Sequence, residues 1–388
     1  MLKLRRARVL DVEQTSGPAG PRAADQRLGI ELSDAPGTRR AAIADVGLLG
    51  ASQPGDELIV NVEALDLGLG SGGFDVVHVN LTRGLEFPGT PWNVMKLNYT
   101  SLQHTVAPVE EAEGPGLGLP LQQPVGVLAL HGQLAAVAWA FAQAAPGKQL
   151  GFVQTEGGAL PGGHSRTLHE LGERGLIAEH ITAGAAFGGD GEAITTAGAL
   201  HHGLRALGWD AAICGPGPGI VGSGTTLGHG GLAALDSAHA ALALGAPTLL
   251  VPRMSSGDAR ARHRGISHHT LTVLDLLLEP VTVALPAGMR SPVGADLRAG
   301  LGAVFGDGSG PAPARPALAL DVERPVRITR HDWRRASVDL PAYAASGLPS
   351  STMGRALAED PLFFGAALAG GTALAQLAHA AAAEVEAA

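Results

Sequence analysis

The chain has 388 residues, and 27 Lys or Arg against 36 Asp or Glu give a formal charge of −9. That balance excludes a general nucleic-acid or acidic-membrane surface, because both need a basic face. The length calls for two or three domains with a sizeable core. The single cysteine, Cys214, excludes an internal disulfide and a thiolate metal cage, which fits a reducing compartment and makes the cytoplasm the expected location.

The opening segment, MLKLRRARVLDVEQ, turns polar before an apolar signal core develops. Residues 1–110 then alternate on a period of two, with strands expected at 4–12, 27–32 and 39–46. Two further runs, from Leu58 and from Phe74, are separated by Gly72-Gly73, a hairpin signal. A β-rich barrel or sandwich domain follows from this pattern. Residues 111–124 are rich in Gly and Pro and read as a linker.

From Val125 the texture changes to short apolar runs about 30 residues apart, at Val125–Leu130, Leu150–Gln154, Glu179–Ala183, Asp210–Cys214, Thr248–Val251 and Val281–Leu285. Each is closed by a polar or Gly-rich loop and followed by a helical pattern. That alternation predicts parallel strands with right-handed crossovers, hence a doubly wound, Rossmann-like α/β domain over 125–290. Residues 291–388 form a C-terminal extension: a Pro/Gly/Ala-rich loop at 297–318, a strand at Ala319–Val322, a basic segment, and a closing helix over Pro361–Ala383. The helix is too rich in Ala and Gly for a good membrane span, so no membrane partner is expected.

In such a sheet the loops after the strand C-termini gather at one edge, where ligands bind. Here those loops are unusually polar: His131-Gly132, Thr155–Gly158, Phe187–Asp190, Gly215–Thr225 and Arg253–Ser256. Gly217-x-Gly219-x-x-Gly222 formally matches a dinucleotide fingerprint. Pro218 has no N–H to offer a pyrophosphate, however, and no acidic residue closes the next strand. What remains is a Gly-lined turn that, with Ser223 and Thr225, suits an anion. Ser267 reads as a helix N-cap, which puts His268 and His269 in the first turn, where the positive helix end keeps imidazole neutral. Neutral imidazole can be a general base, a donor or a metal ligand. Glu156 and Asp190 add carboxylates, and Arg264 adds a positive charge. Ser165, in Gly163-His-Ser-Arg-Thr167, lacks the closing Gly of a nucleophile elbow and reads as a helix N-cap.

These strings also carry a resemblance. Met95-Lys-Leu-Asn-Tyr-Thr100, Thr155–Pro161, Ala186–Asp190, Gly217–Thr225, Arg262–Thr270 and Ser351–Arg355 are together similar to an uncharacterised bacterial family known only as a conserved domain of unknown function, number 3866. Members usually carry Asp where Glu156 stands. The resemblance implies no reaction.

The expected function is therefore an enzyme acting on a small phosphorylated or carboxylated anion at the sheet edge. His268, His269, Glu156 and Asp190 would supply acid–base groups, and Gly217, Gly219, Gly222, Ser223, Thr225, Arg264 and Ser267 would hold the anion. The competing expectation is a sensor that binds such a ligand without converting it. A divalent metal is compatible with these residues, the cofactor is otherwise unknown, and a homo-oligomer is compatible with the composition.

Overall fold

The computed structural model describes residues 2–16, 25–68, 73–85, 91–112, 116–289 and 324–387. The expectations for 297–318 and Ala319–Val322 lie outside the described residues.

Period-two alternation in the first 80 residues produces a closed barrel. Its strands are β1 (Leu4–Ser16), β2 (Asp25–Leu32), β3 (Arg39–Asp45), β4 (Glu57–Asn61) and β5 (Asp75–Asn80), in the order β1-β2-β3-β5-β4, with β4 returning to β1. Val9, Leu28, Ile30, Leu58 and Val60 fill its interior. β4 and β5 pair antiparallel, as a hairpin would, but β4 already ends at Asn61, and the expected turn at Gly72-Gly73 falls partly outside the described residues. The Asn61 carboxamide accepts from the Glu63 N–H at 3.0 Å, which ends the strand and starts a helical turn over Glu63–Asp66. A short hairpin, β6 (Val94–Lys96) and β7 (His104–Val106), follows. Its buried Lys96 ammonium bonds the Thr182 carbonyl at 3.1 Å and Glu192 at 2.6 Å, fastening the hairpin to the second unit.

The second unit is an eight-stranded sheet. Its strands are β8 (Val125–Leu128), β9 (Leu150–Thr155), β10 (His180–Ala183), β11 (Gly191–Ala193), β12 (Ala211–Pro216), β13 (Thr248–Val251), β16 (Thr282–Pro286) and β17 (Asp332–Ala336). Two short strands outside the sheet, β14 (Met254–Ser255) and β15 (Gly265–Ile266), pair with each other. The sheet order is β11-β10-β9-β12-β8-β13-β16-β17, and every pairing is parallel.

Because both faces are covered, each strand splits its side chains between two cores. Val125, Val127, Val153, Cys214 and Leu250 pack on one side against helices Thr196–His201, Ala233–Ala243 and His268–Leu276. Phe152, Ile213, Leu249 and Val251 pack on the other against helices Leu134–Ala144, Arg166–Glu173 and Pro361–Ala387. The C-terminal helix is long and apolar enough to cross a membrane, but most of it is buried against the sheet. It can approach closely because Gly371 has no side chain: a Cβ there would sit 2.2 Å from the Val137 carbonyl oxygen. Gly151 plays the same part beneath Trp209, whose ring would lie 2.0 Å from an added Cβ.

One connection fixes where ligands can enter. The chain leaves β8 for β9 on one side and later leaves β12 for β13, passing over β8 to the other side. These crossovers in opposite directions open a crevice beyond the carboxyl ends of β12, β8 and β13.

Candidate functional site

That crevice is a cleft of about 510 Å³. After β8 it is lined by Leu130–Gly132, after β12 by Pro218–Ser223, and after β13 by Arg253, Arg260, Arg262, His263 and His269. One arm and the turn of a hairpin, Ser351–Met353, complete the lining. Three arginines and three histidines line it, His131 included, and no carboxylate does among the described residues.

Arg253 is the centre of the arrangement. Its backbone is locked by the Thr270 hydroxyl, which accepts from its N–H at 2.8 Å, and by the Ser267 N–H, which donates to its carbonyl at 2.9 Å. The side chain is 3 % exposed, and its nearest counter-charge, Asp258, is 3.5 Å away. Burial pulls this guanidinium down to about 10, against the pull of Asp258. Asp258 is shared: it takes a bidentate pair from Arg260 at 2.9 Å and faces Arg355 at 3.5 Å. The Nε atoms of Arg253 and Arg262 are buried without a partner.

Ser267 caps the helix His268–Leu276 as the sequence implied, accepting from the His269 N–H at 3.2 Å. Four histidine rings meet there. His229 stacks on His269 at 3.7 Å, His268 stands 4.4 Å from His269, and His263 lies 5.0 Å from both His268 and His269. Gly222 admits this packing, since a Cβ there would press on the His229 Cβ at 3.2 Å. Burial comes first in lowering these rings, and neighbouring charges, the arginines among them, add to it: His263 falls to about 3, His268 to about 4 and His269 to about 2. All are neutral near pH 7. Arg253 Nη1 lies 3.0 Å from His269 Nδ1 and must be the donor, so the ring hydrogen of His269 sits on Nε2.

Ligating atoms of His229, His268 and His269 lie within 4.8 Å of one another, which raises the question of a divalent metal. An imidazole lone pair lies in its ring plane, so a shared ion must lie in every ligand's plane. The planes of His229 and His269 are 12° apart and stacked at 3.7 Å, and no bonding position satisfies both. The Arg253 contact also occupies Nδ1 of His269, and the arginines repel a dication. As arranged, the trio does not fit a metal.

The structure sorts the residues singled out from sequence into three groups. Gly219, Gly222, Ser223 and His269 line the cleft, with Ser267 and His268 directly behind. Gly217, Thr225 and Arg264 belong to its supports. A Cβ on Gly217 would meet the Ala159 carbonyl at 2.3 Å, Thr225 bonds Ser223 at 2.8 Å within the loop, and exposed Arg264 donates to the Asp258 carbonyl at 2.8 Å. Glu156 and Asp190 stand apart. Glu156 is exposed beside Gly184, and Asp190 accepts from the His180 N–H at 3.0 Å in a second cleft. That cleft, about 480 Å³, is lined by His169, Glu173, Glu179, His180 and Asp190 around Gly162 and Gly163.

The reason is topological. β11 runs parallel to β10 without a helix between them, so the loop leaving Ala183 must run back along β10. By Asp190 it has reached the level of His180, whose carbonyl accepts the Asp190 N–H at 2.7 Å. The 187–192 and 215–226 loops therefore do not share one cleft.

Sequence reading missed Arg253, Arg260, Arg262, His229 and His263 as site members. For Arg253 a signal existed: an arginine two residues beyond a wholly buried apolar strand needs a purpose. Ser165 is an N-cap, accepting from the Leu168 N–H at 3.2 Å, and it also donates to or accepts from His131 Nε2 at 2.7 Å.

A family model described as "Protein of unknown function (DUF3866)" matches residues 41–371. The chain belongs to that family. The matched span takes in every segment that lines the arginine cleft, the hairpin included. No curated protein and no solved structure matches the chain.

Proposed function

We propose that the chain is an enzyme that binds a small anionic substrate in the arginine cleft and moves a proton with the histidines facing it. The observation that carries this reading is a lining of three arginines, with Arg253 buried, and three buried histidines, and no carboxylate among the described lining residues. Arg253 and Arg262 hold the charge, and the backbone from Gly219 to Gly222 gives room for close approach. His269, with its hydrogen fixed on Nε2, donates. His263, whose Nδ1 lies 2.8 Å from Ser267 Oγ, accepts at Nε2 in the tautomer that carries its hydrogen on Nδ1. Empty, these rings are poor bases because burial and positive neighbours hold them neutral. A bound anion offsets the arginines and raises the histidines, so substrate itself readies the proton acceptor.

The experiment begins with a thermal-shift screen of phosphorylated and carboxylated metabolites, followed by turnover assays on the hits. His263→Gln should keep the fold and most of the binding but abolish turnover, since Gln cannot take a proton. His269→Gln should weaken binding by about 1–3 kcal/mol, the cost of an unpaired buried group. A hit that stays unconverted for hours with wild-type protein, with divalent metals and nucleotide cofactors added, would replace this reading with that of a sensor.

A further inference from the structure

Resting on that reading, we infer that the ligand is a phosphomonoester, its dianionic phosphate on Arg253 and Arg262 and its organic group against Ile220, Val221 and Met353. The first argument is charge. Arg253, Arg260, Arg262 and Arg355 surround the cleft and its wall, against two buried carboxylates among the described residues, Asp258 and Asp360. Asp258 is divided among three arginines, and Asp360 is engaged by Arg355 at 3.0 Å. Among the described residues Arg262 has no carboxylate partner. Two positive charges thus remain over, concentrated in one place.

A carboxylate offers one charge per group, and a dicarboxylate spreads two over its length. A phosphomonoester puts close to two charges and three acceptor oxygens on a single centre. The second argument is the unpartnered donors: Nε of Arg253, on a side chain 3 % exposed, and Nε of Arg262 both call for an acceptor.

The third argument is the wall opposite. Val221 and Met353 are 78 % and 46 % exposed, apolar groups left facing a charged cleft. Met353 is held there by its backbone. It and Gly354 both take positive φ, 47° and 77°, in the turn between the paired Thr352 and Arg355, and the thioether reaches Arg253 Nη2 at 3.4 Å. Inorganic phosphate would leave this wall wet, whereas an ester would cover it.

Calorimetric titration with phenyl phosphate, inorganic phosphate, sulfate and succinate tests the inference. Phenyl phosphate should bind at least about tenfold more tightly than the other three, given an apolar contact and a full dianion. Its affinity should rise about fourfold from pH 5.5 to 7.5, following the ligand's second ionisation near pH 6. Before ligand binds no cleft group shares that range: His131, His263 and His269 lie at about 4, 3 and 2, and the bonds from Arg260 hold Asp258 well below the usual carboxylate range against the opposing effect of its burial, so only histidines raised by the bound anion could add to it. Sulfate, fully ionised throughout, should show no such rise and reads out any contribution from the protein.

Arg262→Gln should lower phenyl phosphate affinity about tenfold or more, the value of a charge-assisted contact. Val221→Ser should weaken phenyl phosphate and leave inorganic phosphate unchanged. Equal binding of sulfate or succinate, or equal binding of inorganic phosphate, would overturn the phosphomonoester while leaving an anion site in place. Binding of none of the four would remove both readings.

Discussion

The arginine cleft and the acidic cleft are nearly equal in size, about 510 and 480 Å³, and opposite in charge. They differ first in how the chain reaches them. The arginine cleft is built by loops that leave three central strands in one direction, so its polar groups converge. The acidic cleft is built where an edge strand is added without a crossover helix, so its carboxylates arrive from both ends of β10. They differ also in how charge is handled. Behind the lining of the arginine cleft the buried carboxylates Asp258 and Asp360 are both bonded to guanidinium, and Asp258 is held low by those bonds although its own burial works the other way. In the acidic cleft Glu179 is half-buried beside Asp190, and its carboxyl is raised by burial first and by Asp190 second. One cleft is charged by design of its partners, while the other carries unrelieved repulsion.

The largest expected effect falls on the first. Asp258→Ala leaves Arg253, 3 % exposed, without counter-charge, and should cost about 3–5 kcal/mol, the usual penalty for breaking a buried pair. Urea denaturation measures it, and a loss below about 1 kcal/mol would mean the arginines are not strained against one another.

The next effect is on pH dependence. The cleft histidines have folded values below their unfolded 6.5, so unfolded chains bind protons first as pH falls. The stability they contribute is complete above pH 6.5 and is lost as pH falls toward their folded values of about 4 and below. Each such ring removes about 1.4 kcal/mol per pH unit in that window, so melting temperature should drop steeply between pH 6.5 and 5. A flat profile there would break the account of neutral, buried rings.

The smallest effect sharpens the contrast. Glu179→Gln in the acidic cleft should be neutral or stabilising by a few tenths of a kcal/mol at pH 7, because it removes a repulsion. Because the folded carboxyl is raised, its penalty also fades in the wild type as pH falls, and the variant's advantage should fade with it. Destabilisation at pH 7 would show that Glu179 has a cationic partner after all.

The six central strands were legible because burial on both faces makes each a short apolar run bounded by loops. β11 (Gly-Glu-Ala) and β17 (Asp-Trp-Arg-Arg-Ala) were not, since an edge strand needs no such run and its partner's backbone decides the pairing. Ser267 and the two histidines after it were legible because capping is local chemistry. The place of Asp190 was not, since it depends on a loop doubling back beside a strand that the sequence does not announce. The Arg253–His269 contact joins residues 16 apart through a fold, and only the side chains' burial reveals it.

Asp360 has a consequence for the order in which the molecule is made. Its carboxylate accepts from the Ser255 hydroxyl at 2.6 Å and from the N–H groups of Ser256 and Gly257 at 2.8 and 3.2 Å, fixing the segment that follows Arg253. It also holds Arg355 at the foot of the hairpin that lines the cleft. During synthesis the sheet strands up to β16 are available long before this residue leaves the ribosome. The arginine cleft is then completed only after those strands have been made, so its concentrated positive charge is withheld from the shorter nascent chain.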